Sequence, residues 1–198
     1  DLKAVFDCAN FTLSPDFFNY QQIVLDHYKQ FYGNKKMWIT EWNIDAGNTT
    51  SNTIRHAEFV SEFLLGLVDA ANKNSQIEYA FFHNYGSGGY AAPIFTYSNK
   101  RSVDYLKKEG NIAYNSTYFS FLYLREITNQ NGNRINEKIS YPKGLTNQNV
   151  IFKTFYNSTK KSVFLYFINK TSENIPFELD GSKGIIQAKG IHGKYPWS

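Results

Sequence analysis

The chain has 198 residues, which is enough for one sizeable hydrophobic core or two small ones. A hydrophobic content of 42% and a charged content of 19% are typical of a globular protein and exclude a disordered chain. The formal net charge of +4 comes from scattered lysines and the only cysteine is Cys8, which excludes a basic stripe for nucleic acid and an internal disulfide.

The first predicted elements are a short strand over residues 2–6, a helix over residues 16–32 and a strand over residues 37–42. Apolar side chains recur every three or four residues in the helix, a Ser-Pro pair supplies a start signal, and Gly33 ends it. The strand follows at once and runs into the carboxylate of Glu41, after which comes a polar turn. This carboxylate therefore lies at the C-terminal end of a buried strand, where α/β barrels carry their chemistry.

The clearest helix is predicted over residues 54–72, which carry one continuous apolar stripe. The charged residues that lie off this stripe are Arg55, Glu58, Glu62 and Asp69. A largely buried strand over residues 77–85 follows, then a long irregular loop to about residue 110, and then a third helix over residues 116–128. This alternation of helices and strands predicts parallel strands that are joined by helical crossovers.

From residue 129 onward the pattern changes to short strands bounded by Gly, Asn, Ser and Pro. The strands are predicted over residues 135–141, 149–156, 162–169 and 175–179. The second and third of them read as a hairpin, and strands at this spacing without helices predict an antiparallel sheet that is part of a β-sandwich. The chain is therefore predicted to have two domains, residues 1–128 and residues 129–198.

The run Trp-Ile-Thr-Glu-Trp-Asn at residues 38–43 resembles the seventh-strand signature of a large clan of retaining glycoside hydrolases with a (β/α)8 barrel. This clan includes β-xylosidase-like, arabinofuranosidase-like and agarase-like families. The resemblance implies an α/β fold, with the C-terminal part of a catalytic barrel in residues 1–128 and an antiparallel β-sandwich-like domain in residues 129–198. It also implies that Glu41 is the nucleophile and that the eighth strand, residues 77–85, adds side chains to the sugar site.

A retaining glycosidase needs two carboxyl groups about 5–5.5 Å apart, one of which attacks the anomeric carbon. The residues expected to contact the carbohydrate substrate are Trp42, Asn43, His83, Asn84 and Tyr85. Strict alternation along the strand predicts that Glu41 shares the barrel-interior face with Ile39, and that Trp38 and Trp42 face the helices. Two plainer readings stay open, since Glu41 could be a surface glutamate at a strand end and His83 a satisfied core histidine.

The second carboxyl group, the acid/base, has no match in this chain. The resemblance places it in an Asn-Glu pair after the fourth strand, but the Asn-Glu pair here, Asn136-Glu137, lies in the β-rich tail. Asp45 lies in the loop after the motif, and Glu78 begins the next strand at its opposite end. The acid/base residue and the N-terminal half of the barrel are therefore expected upstream of Asp1, and this chain alone is expected to be catalytically incomplete.

Two other interpretations remain for the whole chain. An aromatic content of 18% suits sugar binding as well as an aromatic-rich core, so the chain could be a non-catalytic carbohydrate-binding module on an α/β scaffold. It could also be an independent α/β domain, although two or three parallel strands make a small sheet. The remaining histidines, His27, His56 and His192, have no partner at metal-ligand spacing, so no metal and no cofactor are predicted. No apolar run predicts a membrane span, and the substrate class predicts a secreted, periplasmic or cell-surface protein.

Overall fold

The computed structural model describes residues 26–43, 53–74, 76–83, 95–97, 108–109, 112–128, 132–136, 138–147, 149–171, 173–179 and 187–191. Within these ranges the chain is a mixed α/β protein with few helices and three small sheets, and the sheets do not close into a barrel. The α/β prediction is confirmed at this level. In the same ranges, no helix is both long enough and apolar enough to cross a membrane.

Three helices and eight strands make up the described part of the chain. The helices are α1 (26–32), α2 (Ile54–Asn74) and α3 (Ser116–Leu124). The strands are β1 (Met37–Trp42), β2 (Ile77–Phe82), β3 (Phe95–Tyr97), β4 (Lys108–Glu109), β5 (Ile112–Tyr114), β6 (Gly132–Ile135), β7 (Val150–Asn157) and β8 (Ser162–Asn169).

The first helix ends as predicted at Gly33. This glycine has a φ of +61°, and its N–H donates to the carbonyl of Lys29 at 2.8 Å. A left-handed residue is the usual end of a helix, and glycine adopts it without a steric penalty. The predicted strand over residues 2–6 and the start of the predicted helix lie outside the described residues, so the helix is confirmed only over residues 26–32.

Strands β1 and β2 are adjacent and parallel, and α2 connects them in the sequence, which confirms the predicted β–α–β unit. The apolar stripe of α2 packs on this sheet and on α3. The buried members of this core are Trp42, Phe59, Val60, Phe63, Leu64, Leu65, Leu67, Leu124, Ile127 and Phe155. The indole of Trp42 stacks on Phe63 with 4.5 Å between ring centroids, and the hydroxyl of Ser120 on α3 donates to the Ala57 carbonyl of α2 at 2.9 Å.

Strand β1 turns a different set of side chains toward α2 from the set that strict alternation predicts. Its pairing with β2 runs from Ile39 opposite Ala80 to Trp42 opposite Phe82, so three steps on β1 match two on β2. Such a bulge brings both Ile39 and Trp42 to the core side. The predicted grouping of Ile39 with Glu41 is therefore wrong.

The face of the β1–β2 sheet away from α2 carries exposed aromatic side chains. Trp38, Tyr79 and Phe81 are 58%, 51% and 49% exposed. The Trp38 and Tyr79 rings meet edge to face at 5.2 Å, and Tyr79 and Phe81 stack at 6.0 Å. The predicted position of Trp38 toward the helices is therefore also wrong, because the side chain lies on the opposite face of the sheet.

The structure differs from the prediction in the loop before α3 and at the end of α3. Strands β3 and β4 lie within the stretch predicted as an irregular loop, and both pair antiparallel with β5. Strands of two or three residues are too short to show a periodic pattern. Helix α3 ends at Leu124 and continues as a turn to residue 128, where the hydroxyl of Thr128 donates to the Arg125 carbonyl at 3.1 Å.

The described part of the tail forms one antiparallel sheet in the order β6–β7–β8. The hairpin of β7 and β8 is confirmed, and its turn is stabilised by the Asn157 side chain, which accepts from the Lys160 N–H at 2.9 Å. The strands predicted over residues 135–141 and 175–179 are wrong, since β6 ends at Ile135 and residues 174–179 form no strand. A second sheet of a sandwich is not among the described residues, and the domain boundary after residue 128 stays a prediction.

A row of charged side chains joins α2 to the tail sheet. Lys170 Nζ lies 3.2 Å from Glu62 Oε1. Asp69 pairs with two cations, since its Oδ2 lies 3.1 Å from Lys153 Nζ and its Oδ1 lies 3.4 Å from Arg134 Nε. Both acidic residues are off the apolar stripe, as predicted, but the tail sheet buries them. Helix α2 therefore has a second buried face, held by ion pairs.

The burial of Glu62 changes its titration. Burial raises the pKa of its carboxyl to about 7, although Lys170 opposes this rise and Glu58 adds to it. Burial likewise raises the pKa of Glu58, against the effect of Arg55, whose Nη1 lies 2.7 Å away. Because the folded pKa of Glu62 is above its unfolded value of 4.5, its contribution to stability is present below pH 4.5 and is lost as the pH rises through 7.

The two tryptophans of β1 provide a matched pair of variants for the core. Trp42 is 6% exposed, so Trp42→Ala should lower the free energy of unfolding by about 3–5 kcal/mol. Trp38→Ala, on the exposed face of the same strand, should lower it by less than about 1 kcal/mol. Urea unfolding followed by circular dichroism measures both values, and equal losses would contradict the assignment of the two faces.

The ion pair of Lys170 with Glu62 should contribute to the free energy of unfolding by an amount that depends on pH. Lys170→Met should lower the free energy of unfolding by about 3–5 kcal/mol at pH 8, where it leaves a buried carboxylate without its cation. The loss should be smaller at pH 5, where the folded protein keeps Glu62 protonated. Lys160→Met is the control, because this lysine pairs with Glu126 at the surface and should cost less than about 1 kcal/mol. Equal losses at both pH values would contradict the raised pKa of Glu62.

Candidate functional site

The candidate site lies where β1 and β2 end side by side. The N–H of His83, directly after β2, donates to the carbonyl of Trp42 at 3.0 Å. Because the strands are parallel, the side chains that follow both of them lie at the same edge of the sheet. The structure therefore brings together two parts of the predicted site, the end of the strand motif and His83.

Glu41 and Trp42 are neighbours in sequence but occupy different environments. Glu41 is exposed, at the point where the β1 bulge brings two consecutive solvent-facing residues between the core-facing Ile39 and Trp42. The predicted sugar contact of Trp42 draws no support from its placement, since the ring is buried between α2, β2 and α3. The buried indole instead anchors the backbone directly after the carboxylate.

The side chain of Asn43 connects the two strand ends to the first turn of α2. Its amide nitrogen donates to the carbonyl of His83. Its amide oxygen lies 2.8 Å from Nε2 of His56. Asn43 was predicted to contact sugar, but both ends of its amide bind protein groups, so its side chain holds the site together.

His56 is the residue that sequence reasoning missed at this site. It lies in the first turn of α2, where its backbone N–H donates to the hydroxyl of the N-cap residue Thr53 at 3.3 Å. The side chain is 1% exposed, and burial lowers the pKa of the imidazole to about 4. A signal was available, because the first turn of a helix that follows a parallel strand lies near the end of that strand.

Of the remaining predicted site residues, the structure describes His83. The His83 side chain is exposed, so it does not belong to the core in this structure, and its backbone binds Trp42 and Asn43. Asn84 and Tyr85 lie outside the described residues. In the described ranges, no group of three or more His, Cys, Asp or Glu side chains could hold a metal ion.

The described carboxylates near this unit are engaged elsewhere. Glu78, at the start of β2, accepts a hydrogen bond from Trp38 Nε1 at 2.7 Å. Glu58 and Glu62 of α2 are paired with Arg55 and Lys170. Glu41 is thus the carboxylate that the described residues place in solvent at the C-terminal edge of the parallel sheet.

Comparison of the chain with family models, with curated proteins and with solved structures finds no match. The assignment to glycoside hydrolases therefore depends on the strand motif and on the local geometry around it, and it stays a prediction.

Proposed function

We propose that this chain carries the catalytic nucleophile of a retaining glycoside hydrolase, and that the nucleophile is Glu41. The observation that supports this proposal is the exposed carboxylate at the C-terminal end of a parallel strand, beside the end of the next parallel strand. Ligands of parallel α/β sheets bind at this edge, because the loops that follow the strands surround it. The substrate is an oligosaccharide or polysaccharide, which the enzyme meets outside the cytoplasm.

In this mechanism Glu41 acts in its ionised form. One carboxylate oxygen attacks the anomeric carbon while the bond to the leaving oxygen breaks, and an acid/base residue protonates that oxygen. Water then attacks the glycosyl-enzyme ester, with the same acid/base residue accepting its proton, and releases Glu41. We assign the acid/base to a residue outside the described ones. We propose that the exposed imidazole of His83 binds a sugar hydroxyl, and that Asn84 and Tyr85 have the same role.

Substitution of the carboxylate tests this role in the full-length protein that contains this chain. With aryl glycosides of xylose and arabinose, and with xylan and agarose, as substrates, Glu41→Gln should lower turnover by a factor of about 10³ or more while binding remains. Glu41→Gly should be partly rescued by azide, and the rescued product should have inverted anomeric configuration, because one displacement replaces two.

Glu78→Gln is the matched control, because it removes an exposed carboxylate from the opposite end of the same two-stranded sheet. It should leave turnover within a few-fold of the unmodified protein. Near-normal turnover of Glu41→Gln would refute the assignment. A rescued product of retained configuration would instead identify Glu41 as the acid/base.

A second function, non-catalytic carbohydrate binding, is favoured by the exposed aromatic face of Trp38, Tyr79 and Phe81. Flat aromatic surfaces pack against the apolar faces of sugar rings. If binding is the function, Trp38→Ala should abolish retardation in gels that contain xylan or agarose, and no variant of Glu41 should change it. Hydrolysis that depends on Glu41 would decide for the enzyme.

A further inference from the structure

The hydrogen bonds of Asn43 determine which nitrogen of His56 carries the proton. The carbonyl of His83 can only accept, so the amide nitrogen of Asn43 must face it. The amide oxygen then faces Nε2 of His56, at 2.8 Å, and this ring nitrogen must donate. In the neutral imidazole of His56 the proton is therefore on Nε2, and Nδ1 carries a lone pair.

The second ring nitrogen explains why this tautomer persists. Nδ1 of His56 is buried and has no hydrogen-bond partner among the described residues. Protonating it would place a cation in the core without an acceptor, and this burial lowers the pKa of the imidazole to about 4. The ionisable residues of the surrounding elements are Arg55, Glu58, Glu62, Asp69 and Lys73 on α2, Glu41 on β1, Glu78 and Tyr79 on β2, His83 after β2, and Tyr118 and Tyr123 on α3. The pKa of the imidazole is lowered by burial and not by any of these groups. The imidazole thus stays a neutral donor over the pH range in which an ordinary histidine titrates.

This donor is linked to the backbone on both sides of the candidate site. His56 holds Asn43, which holds the His83 carbonyl, and the His83 N–H in turn binds the carbonyl of Trp42. The first turn of α2 and the ends of β1 and β2 are thus joined in one network. Glu41 lies between Ile39, which is packed against the core, and the two residues that this network fixes.

We propose that His56 is a positioning residue that holds the Glu41 carboxylate in its productive place through Asn43. The proposal rests on the proposed function in one respect only, which is that Glu41 is catalytic. His56 touches neither substrate nor the reacting atoms. It acts by keeping the end of β1 aligned with the end of β2, since a displacement of about 1 Å at a nucleophile can lower a rate by about 100-fold.

Two variants of His56 separate its donor from its bulk. His56→Leu removes the donor and keeps apolar volume, whereas His56→Gln can present an amide N–H near the place of Nε2. In the full-length protein, with whichever substrate Glu41 is found to hydrolyse, His56→Leu should lower kcat by about 100-fold with little change in KM. His56→Gln should recover most of this loss.

Ser120→Ala is the matched control, because it removes another buried hydrogen bond to α2, the one to the Ala57 carbonyl, without touching Asn43. It should lower the melting temperature and leave kcat within a few-fold of the unmodified protein. If His56→Leu keeps a normal kcat, or if Ser120→Ala loses as much kcat as His56→Leu, the positioning role is refuted.

A spectroscopic readout tests the network without any activity. In the protein labelled with ¹⁵N-histidine, the His56 resonances should show the Nε2–H tautomer unchanged from pH 8 to pH 5, and Asn43→Ala should shift them. A proton on Nδ1, or titration near pH 6.5, would overturn the proposal even if Glu41 is catalytic. If the spectra agree but Glu41→Gln is fully active, the proposed function fails and with it the positioning role of His56, while the hydrogen-bond network itself stands.

Discussion

The burial of α2 on two sides is the constraint on which the rest of the described structure depends. One side of the helix buries an apolar stripe against β1, β2 and α3, as a helix between parallel strands must. The other side lies under the tail sheet and carries acidic residues, so each buried carboxylate there needs a cation. Lys170 and Lys153 supply them, because an unpaired charge in such a place is strongly destabilising. Core packing and charge pairing together therefore fix one helix between two sheets.

This fixed helix in turn supports the candidate site. Trp42 is locked against Phe63 of α2, and Asn43 is held by the first turn of the same helix. The exposed Glu41 therefore extends from a strand whose next two residues are both anchored. A reactive group on a rigid strand end keeps its geometry better than one on a loop, because the surrounding packing limits its conformations. The bulge in β1 allows this combination, since it exposes the carboxylate while it buries the tryptophan.

The raised pKa of Glu62 does not mark the candidate site in this protein. A glutamate with a pKa of about 7 is often a catalytic acid, but Glu62 lies under the tail sheet and is paired with Lys170. Its pKa is raised because packing buries it. The imidazole of His56 is displaced in the opposite direction for the same reason, because burial always disfavours the charged form. Position at the edge of the parallel sheet is therefore the stronger guide to function here.

The sequence by itself determined the elements with strong local signals. The stripe of α2, the stop at Gly33, the parallel pairing of β1 with β2 and the hairpin of β7 with β8 follow from periodicity and turn residues. It also placed Glu41 and His83 at one edge of the sheet. Only the tertiary structure decided that Trp42 is buried while Trp38 is exposed, that Glu62 is covered by the tail, and that His56 holds Asn43. These features arise from a bulge and from contacts between residues distant in sequence, and neither leaves a periodic pattern along the chain.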